Sequence, residues 1–323
     1  MHNQQLPQQW QPSADQITLK ARARLNQQIR HFLDQRGVLE VETPALSQSG
    51  NTDPHINSFL AETNTGTRYL HTSPEYPMKR LLAAGSGDIY QICKVWREEE
   101  SGPRHNSEFT LLEYYRVGFS YQRLMQEVDE LLTLVLPNIT KPSCYRSYQE
   151  CFLESLAIDP HIASLEQLKN LAATQSLDFE GELDKQGWLD LLFTHVIEAD
   201  FDQQQLTFVY YYPAQQAALA AVTRHDGTDV AQRFEVYCGA MELGNGYQEL
   251  TDAGQNNQRL HQDAAQRATL NLSDIPVDQR FLAALEQGMP RSAGVAIGLD
   301  RLLLCGSSRN ELKQVISFAW ELA

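Results

Sequence analysis

The segment from Trp96 to Arg116, WREEESGPRHNSEFTLLEYYR, limits what this chain can fold into more than any other. The residues before it, DIYQICKVW from Asp88 to Trp96, are rich in strand formers, and so are residues 108–119. Because a polar loop separates the two runs, the pattern predicts a β-hairpin. The first arm of this hairpin delivers Arg97 at its end.

The return arm of the hairpin carries chemistry on one face. Side chains of a strand alternate between its two faces, so five residues share a side: Phe109, Leu111, Glu113, Tyr115 and Val117. An aromatic ring, a carboxylate and a phenol therefore point towards the same place. This combination indicates a binding pocket with an acidic wall.

The ends of the hairpin carry groups that suit phosphate. Arg97 and Arg104 each present a permanently charged fork that matches two phosphate oxygens, and His105 lies beside them in the loop. Phe109 offers a flat surface on which a purine can stack. The hairpin indicates an ATP site beside a pocket for a cation, although a solvated charged hairpin with Phe109 in the core fits the same spacing.

Three motifs in order along the chain resemble those of the class II aminoacyl-tRNA synthetases, in the lysyl variety. Residues 36–46, RGVLEVETPAL, resemble motif 1, which forms the dimer interface in that family. Residues 294–304, GVAIGLDRLLL, resemble motif 3, whose arginine, here Arg301, closes over the adenine from the side opposite Phe109. The hairpin is similar to motif 2 at Arg97, Glu98, Glu99, Arg104, His105 and Phe109.

This resemblance covers nearly all of the chain from about Ala14 and implies an α+β fold, the class II synthetase catalytic fold with an antiparallel sheet flanked by helices. Residues 1–323 are expected to form a single catalytic domain with a small, mostly helical insertion at about 140–205. A first helix is predicted from Ala14 to Arg36, with Ser13 and Gln16 as a capping box. About a dozen residues precede it, so we expect no anticodon-binding domain. Motif 1 implies a homodimer.

The resemblance also implies ATP and Mg²⁺ as cofactors, with Arg97 and Arg301 in catalytic roles. Glu235 and Glu242 match the Mg²⁺ ligands of the family, and carboxylate oxygens suit a metal that also binds phosphates. A strand break at Gly244–Gly246 is expected to help these carboxylates converge. The implied ATP-binding residues are Arg97, Glu98, Glu99, Arg104, His105, Asn106, Phe109, Glu242, Leu243, Gly298 and Arg301.

The amino-acid pocket that the resemblance implies is acidic. Glu249 stands where the related aspartyl and asparaginyl enzymes carry an arginine, so the pocket is inverted in sign and fits a cationic amino acid. We expect this anionic socket to be stable only when a cationic amine fills it. The implied substrate-binding residues are Ser73, Pro74, Glu75, Glu113, Tyr115, Asn245, Tyr247, Glu249 and Ala296.

Ala296 departs from the lysyl pattern, because this chain has G-V-A-I-G where those enzymes typically have G-L-G-I-G. Its methyl group would crowd the α-amino group of lysine and favour an amine displaced by one carbon. The same alanine occurs in a truncated branch of the lysyl enzymes. That resemblance implies (R)-β-lysine, or less well lysine, as substrate and elongation factor P as the acceptor of an ATP-dependent amide-forming ligase.

Charge and composition narrow the choice of partners. The 41 acidic and 26 basic residues give a formal net charge of −15, which disfavours a polyanion such as tRNA as a partner. The scattered cysteines and the lack of a leader or a bilayer-length apolar run indicate a cytoplasmic protein without a membrane partner. Two alternatives stay open: a lysine-adenylating enzyme that acts on tRNA, and a non-catalytic synthetase-like regulator.

Overall fold

The structure is a computed structural model that describes residues 10–98, 102–177, 179 and 181–323. The α-helices in these residues are α1 (Gln16–Asp34), α2 (Glu75–Ala83), α3 (Tyr121–Val135), α4 (Tyr148–Leu156), α5 (Leu165–Thr174), α6 (Lys185–Leu192), α7 (Ala253–Thr269), α8 (Gln279–Gln287) and α9 (Leu299–Cys305). The strands are β1 (Leu39–Glu40), β2 (Leu46–Ser47), β3 (Leu60–Thr63), β4 (Gly66–Leu70), β5 (Ile89–Trp96), β6 (Glu108–Val117), β7 (Cys144–Ser147), β8 (Leu206–Tyr210), β9 (Val222–His225), β10 (Thr228–Ala231), β11 (Arg233–Cys238), β12 (Met241–Gln248) and β13 (Ser292–Gly298).

An eight-stranded sheet in the order β1-β5-β6-β13-β12-β11-β8-β7 organises these elements. Neighbouring strands pair antiparallel throughout the run β5-β6-β13-β12-β11-β8. The edge strands β1 and β7 pair parallel with β5 and β8. The predicted hairpin is confirmed as β5 and β6. The expected α+β fold with helices flanking an antiparallel sheet is also confirmed, with mixed pairing at its edges.

The main core lies on one face of this sheet, against α1, α3 and α9. Along β13, Ala293, Val295 and Ile297 belong to that core, and the intervening residues point to the other face. Leu112 and Tyr114 of β6 are likewise buried in this core. The chemistry-bearing residues of β6 and β13 are therefore directed to the opposite face.

A smaller cluster closes part of that opposite face. Helices α2 and α8 pack together, and the Tyr76 and Phe281 rings stack with their centres 4.7 Å apart. Tyr115 of β6 and Leu260 of α7 join the same cluster. This packing fixes α2 over the end of β6 that carries Tyr115.

Residues 140–205 contain β7 and helices α4, α5 and α6, followed by a π-helical turn at Phe193–Ile197. Their aromatic core includes Tyr148, Phe152 and Phe193, with the Tyr148 and Phe193 rings stacked at 5.0 Å. Strand β7 was not predicted, and it extends the main sheet by pairing with β8. The segment thus supplies the edge strand β7, and its helices pack against β8 and β11.

Two local predictions are wrong. Asp15, rather than Ser13, caps α1, and its carboxylate accepts a hydrogen bond from the Thr18 N–H at 2.8 Å. The Ser13 hydroxyl instead accepts from the Ala319 N–H at 2.9 Å. An aspartate satisfies the free N–H groups of a helix start as well as a serine does, so a neighbouring residue can take over this role.

The expected strand break at Gly244–Gly246 is also wrong, because β12 runs through both glycines. A Cβ on Gly246 would lie 2.5 Å from the Phe234 ring, and one on Gly244 would lie 2.8 Å from the Ala296 carbonyl oxygen. The glycines therefore allow a close approach between strands instead of bending one.

Within the described residues, no helix combines the length and apolar character needed to cross a bilayer.

Candidate active site

A cavity of about 940 Å³ lies on the face of the sheet opposite the main core. This volume falls within the range of ligand pockets, roughly 300–1,000 Å³. Most of the predicted site residues line it. They are Ser73, Glu75, Arg97, Arg104, His105, Asn106, Phe109, Glu113, Tyr115, Glu235, Glu242, Leu243, Asn245, Tyr247, Glu249, Ala296, Gly298 and Arg301.

Two predicted residues lie outside the cavity. Pro74 is the N-cap of α2 and does not line the cavity. Glu98 is exposed outside the cavity, and its N–H donates to the Asn57 carbonyl at 2.9 Å. Glu99 lies outside the described residues.

One end of the cavity is rich in arginine. The Arg97 guanidinium lies 5.0 Å from the centre of the Phe109 ring, which is a cation–π distance. The Arg301 guanidinium lies 2.7 Å from His105 Nε2 and donates to the Glu242 carbonyl at 3.1 Å. The β5–β6 hairpin, strand β12 and helix α9, which are distant in sequence, therefore supply the charged groups of this end.

The loop that carries Arg104 is tied to the neighbouring hairpin. Arg104 Nη1 donates to the Ala240 carbonyl at 2.6 Å, in the turn between β11 and β12. Asn106 Nδ2 donates to the Glu108 carbonyl at 2.5 Å, and Asn106 Oδ1 accepts from the Trp320 N–H at 3.2 Å. These contacts hold the loop at the edge of the cavity.

The two predicted metal ligands share a face of β11 and β12. Glu242 is opposite Tyr237 in the register, and Tyr237 is two residues along the strand from Glu235. Glu235 accepts a hydrogen bond from the Tyr212 hydroxyl at 2.6 Å and also contacts Arg233 and Tyr237. Burial, followed by the charge of Glu235, raises the pKa of Glu242.

A pair of carboxylates in which the charge of Glu235 disfavours the ionisation of Glu242 fits a bound cation. Glu235 still has acceptor capacity, since a carboxylate offers about four lone-pair sites. The described residues contain no group of three or more His, Cys, Asp or Glu side chains arranged to hold a metal. Phosphate oxygens would have to complete the coordination, which is how Mg²⁺ is usually held beside nucleotides.

The other end of the cavity is lined by carboxylates. Glu113 is 3% exposed and accepts hydrogen bonds from the hydroxyl groups of Ser73 and Tyr115, each at 2.6 Å. Burial, and next the nearby charge of Glu75, raises the pKa of Glu113 to about 7. Ser73 also accepts from the Glu75 N–H at 3.0 Å, which links β6 to the start of α2.

The expectation that this socket needs a bound amine for stability is wrong, because the chain supplies its own. Lys79 Nζ lies 2.6 Å from Glu75 Oε1 and 2.6 Å from Glu249 Oε2. Burial raises the pKa of Glu249 to about 7, against the lowering influence of Lys79. The acidic pocket is therefore preformed around an internal counter-ion.

Ala296 and Gly294 lie beside this acidic end. Ala296 is paired in register with Glu113 of β6 on one side and with Asn245 of β12 on the other. A Cβ on Gly294 would lie 2.4 Å from the Tyr115 ring and 2.6 Å from Glu249 Oε1. A side chain at position 294 would thus collide with the acidic wall, whereas the methyl group of Ala296 reaches the cavity.

Comparison with protein families identifies the family of this chain. The family of tRNA synthetases class II (D, K and N) matches residues 9–321. The chain belongs to this family. The expected relationship to the class II synthetases is confirmed over nearly the whole chain.

Similar members of the family share one name. A protein of Edwardsiella ictaluri (strain 93-146) named elongation factor P–(R)-beta-lysine ligase is 46% identical over 322 residues, 97% of this chain and 98% of that protein. The protein of the same name from Haemophilus ducreyi (strain 35000HP / ATCC 700724) is 44% identical over 320 residues, 97% of each chain. A third, from Pseudoalteromonas translucida (strain TAC 125), is 45% identical over 317 residues, 96% of this chain and 97% of the relative.

Several polar groups in this class II site were missed by sequence reasoning. Lys79 follows Glu75 by one helical turn, so the i,i+4 spacing was a usable signal. Arg233 is two residues before Glu235 on the same strand face, which also could have been found. Tyr212 and Glu198 reach the cavity only through tertiary packing, and no local pattern marks them.

Glu198 brings a further carboxyl group to this site from the segment before β8. Burial, followed by the charges of Glu235 and Glu242, raises the pKa of Glu198 to about 7. The class II site therefore has arginines at one end and carboxyl groups at the other, with a second acidic cluster along β11 and β12. This arrangement can align a triphosphate with a cationic amino acid in one continuous cavity.

Proposed function

We propose that this protein is an ATP-dependent ligase that activates (R)-β-lysine, and less well α-lysine, as an aminoacyl adenylate. It then transfers the aminoacyl group to a lysine side-chain amine of elongation factor P. The observation that carries the proposal is the continuity of the cavity between an end with Arg97 and Arg301 and an end with Glu113 and Glu249. The names of the similar proteins support the choice of substrate and acceptor.

The acidic end selects a cationic amino acid. Glu75, Glu113 and Glu249 place three carboxyl groups around the pocket, and Lys79 neutralises only part of their charge. An ammonium group of the substrate supplies the missing positive charge, whereas an acidic side chain would be repelled. The site is therefore suited to lysine or an isomer of lysine.

The arginine-lined end binds ATP. Phe109 supplies a ring on which the adenine stacks, and Arg301 is placed to close over the nucleotide. Arg104 and His105, in the hairpin loop, lie where they can hold the terminal phosphates. This orientation directs the α-phosphate towards the amino-acid end.

The first step joins the two substrates. A carboxylate oxygen of the amino acid attacks the α-phosphorus of ATP, the bond from that phosphorus to the bridging β-oxygen breaks, and pyrophosphate leaves. Arg97 stabilises the charge that develops on the α-phosphate, and the cavity supplies proximity and alignment. Glu235 and Glu242 would hold Mg²⁺, which neutralises phosphate charge when bound.

The second step transfers the acyl group. The neutral amine of the acceptor lysine attacks the carbonyl carbon of the adenylate, an amide bond forms, AMP leaves, and the amine loses a proton. The protein supplies no nucleophile of its own in either step. The acceptor is a protein and not tRNA in this proposal, which agrees with the net charge of −15.

We propose a homodimer formed through residues 36–46 by analogy with motif 1 of the family. We also place the enzyme in the cytoplasm, where ATP and elongation factor P are found together. Residues 140–205 are proposed to be an insertion in the catalytic domain.

Amino-acid-dependent exchange of label between pyrophosphate and ATP tests this proposal. The purified protein should catalyse exchange with (R)-β-lysine and more weakly with α-lysine. Aspartate and asparagine serve as controls, because they suit the arginine pocket of the related enzymes. Exchange with aspartate or asparagine and not with either lysine would contradict the proposed substrate class.

A further inference from the structure

Lys79 is a buried charged group for which the adenylation chemistry above has no role. Its side chain is 1% exposed, and so is the side chain of its partner Glu249. Both Glu75 and Glu249 line the cavity, whereas Lys79 does not. The lysine therefore stands behind two pocket carboxylates, on the side away from the substrate.

Resting on the function proposed above, we propose that Lys79 is a positioning residue that holds Glu75 and Glu249 as a fixed, charged pair before the amino acid arrives. Lys79 Nζ engages Glu249 Oε2, and Glu249 Oε1 lies close to Gly294 on the cavity side. Each carboxylate keeps one oxygen for the substrate while the other is held from behind. A preformed site of this kind avoids reorganisation when the ligand binds.

The carboxylates around Lys79 keep its buried amine protonated. Burial disfavours its charged form, but Glu249 and Glu75 outweigh burial and raise the pKa of Lys79. The Phe281 ring of α8 lies 6.0 Å from Nζ and adds no charge. The titratable groups that face this site are Glu75 and Tyr76 of α2, Glu113 and Tyr115 of β6, Tyr247 of β12, Glu249, and Asp263 of α7 near Tyr76.

Removing the ammonium group should therefore act on amino-acid binding through protonation. Glu113 and Glu249, left beside Glu75 without a cation, would hold protons at higher pH, because like charges oppose ionisation. A protonated carboxyl attracts the substrate ammonium weakly. The ATP end, at Arg97 and Arg301, would keep its own charges.

The test compares Lys79→Met, which keeps length and apolar bulk but loses the charge, with Lys79→Arg, which keeps the charge. Lys169→Met, at an exposed position of α5, is the matched control. The KM values for (R)-β-lysine and ATP are measured by exchange from pH 6 to 9. We expect Lys79→Met to raise the amino-acid KM ~10-fold at pH 7 and to move the midpoint of its pH profile upwards by about one unit.

The other variants separate positioning from folding. The ATP KM should change less than about threefold, and Lys79→Arg should keep the wild-type midpoint. An unshifted midpoint in active Lys79→Met would overturn the role of Lys79. Wild-type protein that exchanges with no cationic amino acid would instead overturn the proposed function, so the two failures are distinguishable.

A double variant covers the case in which Lys79→Met does not fold. Lys79→Met with Glu249→Gln removes one buried charge of each sign, and it is compared with Glu249→Gln alone. Because only the contact of Lys79 with Glu75 remains in that background, the lysine substitution should add less than about threefold to the amino-acid KM. A full ~10-fold further increase would show independent effects and contradict the proposal.

Discussion

Ala296 of β13 is the register partner of Glu113 of β6, so a methyl group and a buried carboxyl group project side by side into the cavity. Asn245 flanks the alanine from β12. In the proposed function, the methyl group would stand beside the path of a substrate amino group towards Glu113. We therefore expect the residue at position 296 to influence whether an α-amine or a β-amine is preferred.

Replacing Ala296 with glycine should shift the preference of the enzyme towards α-lysine, because the space near Glu113 increases by one methyl group. A change of about 10-fold in the ratio of kcat/KM for α-lysine and (R)-β-lysine is expected, since one methylene in a pocket is worth roughly that much. Exchange kinetics with each amino acid give the ratio. Ala293→Gly on the core face of the same strand is the control, and an unchanged ratio in Ala296→Gly would remove the steric argument.

Glu249→Gln should weaken binding of cationic amino acids, because an amide replaces a carboxylate of the same shape beside Lys79. Loss of one charged partner should raise the amino-acid KM by ~10- to 100-fold and leave the ATP KM within a few-fold. Steady-state exchange measures both constants. Glu286→Gln on the exposed face of α8 should behave as wild type. An unaltered lysine KM in Glu249→Gln would mean that Glu249 does not bind the amino acid.

Arg97→Ala should abolish detectable exchange. Arg97 lies beside Phe109 in the cavity, and removing a single group that stabilises charge in a transition state costs about 100- to 1,000-fold in rate. Arg291→Ala, at an exposed position before β13, provides a control for loss of an arginine. Appreciable exchange by Arg97→Ala would mean that this residue does not stabilise the phosphate.

The amino-acid KM should fall as pH rises from 6 to 8. The pKa values of Glu113 and Glu249 are raised to about 7, chiefly by burial, so both groups lose a proton in this window. A cation binds the ionised form better, and the change should approach ~10-fold per unit over the steep part of the profile. A KM for (R)-β-lysine that stays flat or rises over this range would contradict the role of these carboxyl groups.

The hairpin was predictable because its signals are local. Strand-forming runs on either side of a polar loop gave β5 and β6 nearly to the residue, and period two placed Phe109 and Glu113 on one face. Position 249 was also informative, since a glutamate there changes the sign of the pocket. These inferences needed no knowledge of distant contacts.

Other features depend on contacts that a sequence does not display. The Tyr212 hydroxyl meets Glu235 only after β8 and β11 have paired. Gly246 was interpreted as a strand break, yet its requirement comes from the Phe234 ring on the neighbouring strand. Lys79 had a visible helical spacing from Glu75, but its second contact, to Glu249, is a tertiary one.

The acceptor of the activated amino acid tests the central claim most directly. The enzyme is incubated with ATP, labelled (R)-β-lysine and equal amounts of elongation factor P and tRNA, and both acceptors are analysed by mass. The account predicts one added β-lysyl group on a lysine of elongation factor P, dependent on ATP, and no label on tRNA. Label on tRNA, with elongation factor P unmodified, would contradict it.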